Sequence, residues 1–120
     1  MRNGLPRVLI LEDDTDLLEI YGISLSDQFE LIKAETVEEG KNLFRLHQHD
    51  LFAIVLDGNV NGQTSILLAQ EILQTYLGHV LANSDHDGVQ QQLVQTGCLG
   101  CLPHAHKWNL PEKLKQLCQE

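Results

Sequence analysis

Short apolar runs alternate with helix-period segments from one end of the chain to the other. Val8-Leu9-Ile10-Leu11 is continuous and rich in branched residues, the pattern of a strand covered on both faces. It stops abruptly at Glu12-Asp13-Asp14. Leu17, Leu18, Tyr21 and Leu25 follow at helical spacing and share one face, with Asp14 placed as the N-cap. Leu31 to Ala34 reads as a second, weaker strand suited to a sheet edge. Val37, Gly40, Leu43, Phe44 and His47 mark a second helix. Phe52 to Leu56 is a third strand and again ends on an acid, Asp57. A Gly/Asn-rich loop from Gly58 to Gly62 leads to a helix with Ile66, Ala69, Leu73 and Tyr76 inward. His79 to Ala82 is a short fourth strand, and Val89, Leu93 and Val94 predict the helix after it. Leu99 to Leu102 is the fifth strand. The last helix starts near Asn109, with Pro111 in its first turn, and buries Leu110, Leu114, Leu117 and Cys118.

Five βα units joined by short connections imply a parallel sheet with helices on both faces. The chain has 120 residues, enough for one core, and is read as a single domain spanning residues 1–120 with its core over 7–119. An apolar fraction of 42% and a charged fraction of 21% are ordinary for a globular chain. No apolar run is long enough to cross a bilayer, and the lead-in Met1 to Pro6 lacks the apolar stretch of a secretory signal. A cytoplasmic location without membrane attachment is therefore expected.

A formal charge of −9, from 17 acids against eight scattered Lys and Arg, argues against nucleic acid and favours cations or a basic protein partner. The three cysteines, Cys98, Cys101 and Cys118, bunch at one end and do not form a secreted disulfide framework. They read as buried free thiols. His47, His49, His79 and His86 read as solvated helix or loop residues, and Trp108 as a cap on the core at the entrance to the last helix.

In open parallel sheets, ligands bind beyond the carboxyl ends of the strands. Strands one and three both end on acids, so if they are neighbours Glu12, Asp13 and Asp57 converge on one cleft. Carboxylates crowded together resist shared ionisation unless a cation is present. A small hard ion such as Mg²⁺ resolves this, taking one or two carboxylates with waters and a phosphate oxygen. A carboxylate beside such a metal can attack phosphorus to form an aspartyl phosphate. Each acid alone would equally serve as a turn residue or helix cap. No Gly-rich phosphate loop follows strand one, which counts against a nucleotide site.

Over residues 7–119 the chain resembles the receiver domains of bacterial response regulators. The segments that carry the likeness are Val8 to Asp14, Ile54 to Asn59, and Gln95-Thr96-Gly97-Cys98-Leu99-Gly100. The resemblance implies a flavodoxin-like, doubly wound (βα)5 α/β fold with a five-stranded parallel sheet in order 2-1-3-4-5. It implies a signalling module rather than an enzyme, with Asp57 as phosphoacceptor. Mg²⁺ would be held by Glu12, Asp13, Asp57 and the backbone carbonyl of Asn59. The implied partners are a histidine kinase or phosphotransfer protein and a downstream protein target. Homodimerisation would use the face formed by helix four, strand five and helix five.

Several positions depart from the family pattern. The Thr or Ser that closes strand four falls on Ala82, which has no hydroxyl; Asn83 lies next, and Ser84 comes two residues late. Cys101 stands at the aromatic switch position. His104-Ala105 replaces the Lys-Pro pair, so a permanent charge becomes a partly protonated one and the usual cis peptide is not expected. Asn61 replaces the loop proline and Ser65 the glycine after it. One reading is a working but atypical receiver whose output uses another relay. Another is a pseudo-receiver that binds a partner irrespective of phosphorylation. With no output module in these residues, either would act through another protein. A third is structural zinc on Cys98-x2-Cys101-x2-His104-x-His106, against which stand the strand position of Cys101 and the short spacing.

Overall fold

The computed structural model describes residues 4–100 and 110–119. Its main sheet uses β1 (Arg7–Leu11), β2 (Glu30–Ala34), β3 (Ala53–Leu56), β6 (His79–Ala82) and β7 (Leu99–Gly100). They run parallel in the order β2-β1-β3-β6-β7, so the five principal strands follow the expected 2-1-3-4-5 arrangement. The remaining strands, β4 (Asn59–Val60) and β5 (Gln63–Thr64), form a separate antiparallel pair. The helices are α1 (Thr15–Leu25), α2 (Val37–His47), α3 (Ile66–Thr75), α4 (Asp87–Thr96) and α5 (Leu110–Gln119).

The unbroken apolar runs follow from burial on two sides. Val8, Ile10, Ala53, Val55 and Leu81 pack with Tyr21 and Leu25 of α1 and Leu110, Leu114 and Leu117 of α5. Leu9, Leu11, Ile54, Leu56 and Val80 face the other way, onto Phe44, Leu68, Ile72 and Leu93 of α2, α3 and α4. β2 lies at the edge and is only partly buried, as its weaker pattern predicts. The Asp14 carboxylate accepts from Leu17 N–H at 3.1 Å and so caps α1. Thr36 caps α2 through Glu39 N–H at 3.0 Å, while the Glu39 carboxylate accepts from Glu35 N–H at 2.7 Å.

Several expectations are corrected. The stretch from Gly58 to Gly62 is not simply a loop: Asn61 (φ 53°) and Gly62 (φ 80°) turn β4 back onto β5 as a two-residue hairpin. The buried stripe of α3 is Leu68, Ala69 and Ile72, with Ile66 and Leu73 only partly buried. Tyr76, just beyond the helix, is buried and donates to Leu51 C=O at 3.0 Å. In α4 Val94 is 44% exposed, leaving Leu93, buried, and Val89, partly buried against the core, as the inward residues. Cys118 is exposed, not buried, because it lies one residue past the Leu110–Leu114–Leu117 stripe. β7 is described only as far as Gly100, and Cys101, Leu102, His104, Ala105, His106, Trp108 and Asn109 lie outside the described residues. Among the described residues no helix is long and apolar enough to cross a membrane.

Cys98 sits in the α2–α3–α4 core, and burial pushes its thiol up to about 11. The thiolate is the reactive form, so near neutral pH this thiol is both shielded and protonated. A thiol-reactive maleimide at about pH 7.5 is expected to modify Cys118 within minutes and to spare Cys98 until urea unfolds the chain. Peptide mass mapping reads the outcome; rapid native labelling of Cys98 would contradict the packing.

Candidate functional site

The register of the sheet builds the site row by row. Leu11, Leu56, Ala82 and Gly100 lie side by side across β1, β3, β6 and β7. The backbone continues the ladder one step further: Glu12 N–H donates to Ala34 C=O, Asp57 N–H to Leu11 C=O, and Asn83 N–H to Leu56 C=O, at 2.9–3.0 Å. Glu12, Asp57 and Asn83 therefore form the last row, at the carboxyl edge. Three carboxylates converge there. One oxygen each from Glu12, Asp13 and Asp57 lies within 4.8 Å of the others. Glu12 is 1% exposed and Asp57 3%, whereas Asp13 is only partly buried.

The cleft above them has a volume of about 380 Å³ and is lined by Glu12, Asp13, Asp14, Asp57, Asn59, Gly62, Asp85 and His86. The donor set is hard oxygen, of the type small divalent ions bind, and the three carboxylates lie close enough together to share one cation. The residues present therefore fit a magnesium-type cation. Asp85 and His86 were not singled out by sequence reasoning as site residues. They lie in the short connection from β6 to α4, beyond the carboxyl end of the strand, where the rule that ligands gather past strand ends points. His86 is exposed, as expected of a solvated loop residue, but it also lines the cleft.

The backbone around Asp57 is fixed from two sides. Ser65 is fully buried; its hydroxyl donates to Asp57 C=O at 2.7 Å and its N–H to Gly58 C=O at 3.0 Å. This gives the replacement of glycine by Ser65 a structural role. On the other side, the Gln90 side chain closes a ring over the end of β6, donating to Ala82 C=O at 2.9 Å and accepting from Ser84 N–H at 3.0 Å.

The switch positions are less conventional. Ala82 stands one row below Asp57 and carries only a methyl. Ser84 is fully buried, and its hydroxyl accepts from His86 N–H at 3.2 Å. Asn83 is 1% exposed and donates through its amide to the Tyr21 hydroxyl at 3.2 Å, while its amide oxygen has no partner among the described residues. Cys101 and His104, assigned to the aromatic and lysine positions, lie outside the described residues. Of the four candidate zinc ligands only Cys98 is described, and it is enclosed by apolar side chains. Among the described residues, the one cluster able to hold a metal is Glu12, Asp13 and Asp57.

No protein-family model matches the sequence, and no curated protein matches it. Solved structures do. The non-phosphorylated HemR receiver domain of Leptospira biflexa is 25% identical, with a TM-score of 0.80 over 96% of this chain and 95% of its own. The N-terminal domain of an uncharacterized Wolinella succinogenes protein is 24% identical, with a TM-score of 0.77 over 95% and 94%. The chemotaxis protein CheY4 of Vibrio cholerae is 17% identical and shares the fold, with a TM-score of 0.75 over 95% and 99%. With this architecture over nearly its whole length, and acids ending β1 and β3 in adjacent strands, the chain has the fold of the response-regulator receiver domains it is similar to.

Proposed function

We propose that this domain accepts a phosphoryl group on Asp57, in a Mg²⁺-dependent reaction, from a histidine kinase or phosphotransfer protein in a cytoplasmic phosphorelay. The observation that carries this reading is the convergence of Glu12, Asp13 and Asp57 within 4.8 Å at the carboxyl edge of the sheet. Glu12, Asp13 and Asp57 would hold the cation. Asn59 is the fourth expected ligand, and it lines the same cleft. In a two-residue hairpin the pair beside the turn exchanges the hydrogen bonds and the next pair does not. The Asn59–Thr64 pair is that next one, so the Asn59 carbonyl faces away from β5.

The bound ion supplies positive charge against the phosphoryl oxygens. A carboxylate oxygen of Asp57 attacks phosphorus, the bond from phosphorus to the donor imidazole nitrogen breaks with its electron pair staying on that nitrogen, and the donor ring, already protonated on its other nitrogen, leaves as neutral imidazole. Ser65 holds the Asp57 main chain in place during attack, through its 2.7 Å bond to the carbonyl. Output would pass to a downstream protein. The α4–β7–α5 face, where Val94 and Leu99 are exposed, is the proposed surface for that partner or for a second copy.

A second reading has its own support. Ala82 offers no hydroxyl, and the Ser84 hydroxyl is enclosed and engaged by His86 N–H. A pseudo-receiver that binds its partner irrespective of phosphorylation would need neither group. Intact-mass measurement after incubation with Mg²⁺ and acetyl phosphate separates the two. The acceptor reading predicts a gain of one phosphoryl group by the wild type and none by Asp57→Asn. No gain by the wild type, under conditions that label an ordinary receiver, leaves the pseudo-receiver.

A further inference from the structure

The hairpin between β3 and α3 reaches back over the acidic cleft. Its turn residues, Asn61 and Gly62, both take left-handed backbone, which glycine adopts freely and asparagine tolerates better than most. That turn aims the Asn61 N–H at Asp13, whose Oδ2 accepts it at 2.8 Å. The Asn61 side chain donates to Glu35 C=O at 3.1 Å, tying the turn to the connection between β2 and α2. At the base of the hairpin, Ser65 N–H holds Gly58 C=O. Asp13 thus has one oxygen engaged by the protein, while the same residue contributes an oxygen to the Glu12–Asp13–Asp57 cluster.

Calcium and magnesium differ in how they use a carboxylate. Calcium takes six to eight oxygens and accepts both oxygens of one carboxylate. Magnesium demands near-octahedral geometry and binds few protein ligands. Groups that hydrogen-bond to a ligating carboxylate fix its orientation and strongly affect affinity. We propose that the Asn61–Gly62 turn is a specificity determinant of the cation site: by engaging one oxygen of Asp13 it keeps that carboxylate a one-oxygen ligand and favours Mg²⁺ over Ca²⁺. The proposal rests on reading the cleft as a cation site, and its test separates the two claims.

The experiment titrates Mg²⁺ and Ca²⁺ into the full chain by calorimetry, for the wild type, Asn61→Gly and Asn61→Pro. Glycine keeps the N–H and the left-handed backbone but removes the bond to Glu35. Proline removes the N–H and, with φ fixed at about −65°, also cannot hold the left-handed turn, so it removes the turn's grip on Asp13 altogether; circular dichroism checks that the rest of the fold is retained. The wild type is expected to prefer Mg²⁺, Asn61→Gly to stay within about twofold of it, and Asn61→Pro to lose about tenfold of the Mg²⁺ to Ca²⁺ ratio. A second readout follows the Asn61 amide in ¹⁵N spectra of the wild type, where it should keep its hydrogen-bonded shift as Mg²⁺ is added. An unchanged ratio in Asn61→Pro, or an amide that moves to the exposed position on Mg²⁺ binding, would overturn the role of the turn and leave the cation site standing. A wild type that binds neither cation would overturn both.

Discussion

Magnesium at about a hundred times its dissociation constant is expected to stabilise the folded chain by about 2.7 kcal/mol, by mass action on a site absent from the unfolded state. The expectation follows from the crowding of Glu12, Asp13 and Asp57 within 4.8 Å, two of them almost wholly buried. Carboxylates so placed repel, and a divalent ion converts that repulsion into binding energy. Folding alone brings them together, because Glu12 and Asp57 belong to neighbouring strands and Asp13 is engaged by the β4–β5 turn. The double variant Asp13→Asn, Asp57→Asn should therefore gain nothing from Mg²⁺. In EDTA it should be at least as stable as the wild type, since it removes charge from a crowded cleft while keeping shape. Urea unfolding followed by circular dichroism, with NaCl at matched ionic strength as the control, measures both. Equal stabilisation of variant and wild type by Mg²⁺ would mean that the ion acts elsewhere.

Gly58→Ala is expected to destabilise the chain by about 1–3 kcal/mol, the range for forcing a methyl into a packed site. A Cβ on Gly58 would collide with Val89 Cγ1 and stand 2.7 Å from Ser84 Oγ and 2.8 Å from Ser84 Cβ. None of these neighbours can easily give way. Ser84 is fully buried, with its N–H held by Gln90 and its hydroxyl engaged by His86 N–H, and Val89 packs against the core. On the opposite side Ser65 holds both the Asp57 and Gly58 carbonyls, so the strand end cannot retreat. Gly88→Ala is the control: nothing lies within 4 Å of its Cβ position, and it sits inside α4. Alanine there should be neutral or stabilising by up to about 1 kcal/mol. Thermal unfolding of the two variants beside the wild type checks the contrast, and similar melting temperatures for both would contradict the packing at Gly58.

Much of this was legible in the sequence, for identifiable reasons. Parallel strands buried on both faces are continuous apolar runs, so β1, β3 and β6 stood out, and the acids that stop them could be placed at the carboxyl edge. The α1 stripe and its Asp14 cap were equally plain, being set by local spacing. The hairpin does not show in the apolar pattern, although Asn61-Gly62 is the favoured two-residue turn. Its strands are two residues each, too short for any alternation to show. Val94 and Cys118 face outward because each lies one residue past the last buried position of its helix, a step that turns the side chain about 100° toward solvent, and composition alone does not show on which side of the stripe that step falls. The roles of Ser65, Gln90 and Asn61 could not be read at all. Each depends on a contact with a residue four or more positions away whose approach is set by tertiary packing.

The central claim is that Asp57, in the row of residues at the carboxyl edge, is the phosphoryl acceptor. Locating the group tests it most directly. After Mg²⁺ and acetyl phosphate treatment, borohydride reduction converts an aspartyl phosphate to homoserine, and tandem mass spectrometry of the peptides finds the position. The account predicts homoserine at position 57 and none at position 13, dependent on Mg²⁺. Homoserine at another position, or none in a chain that retains its fold, would contradict it.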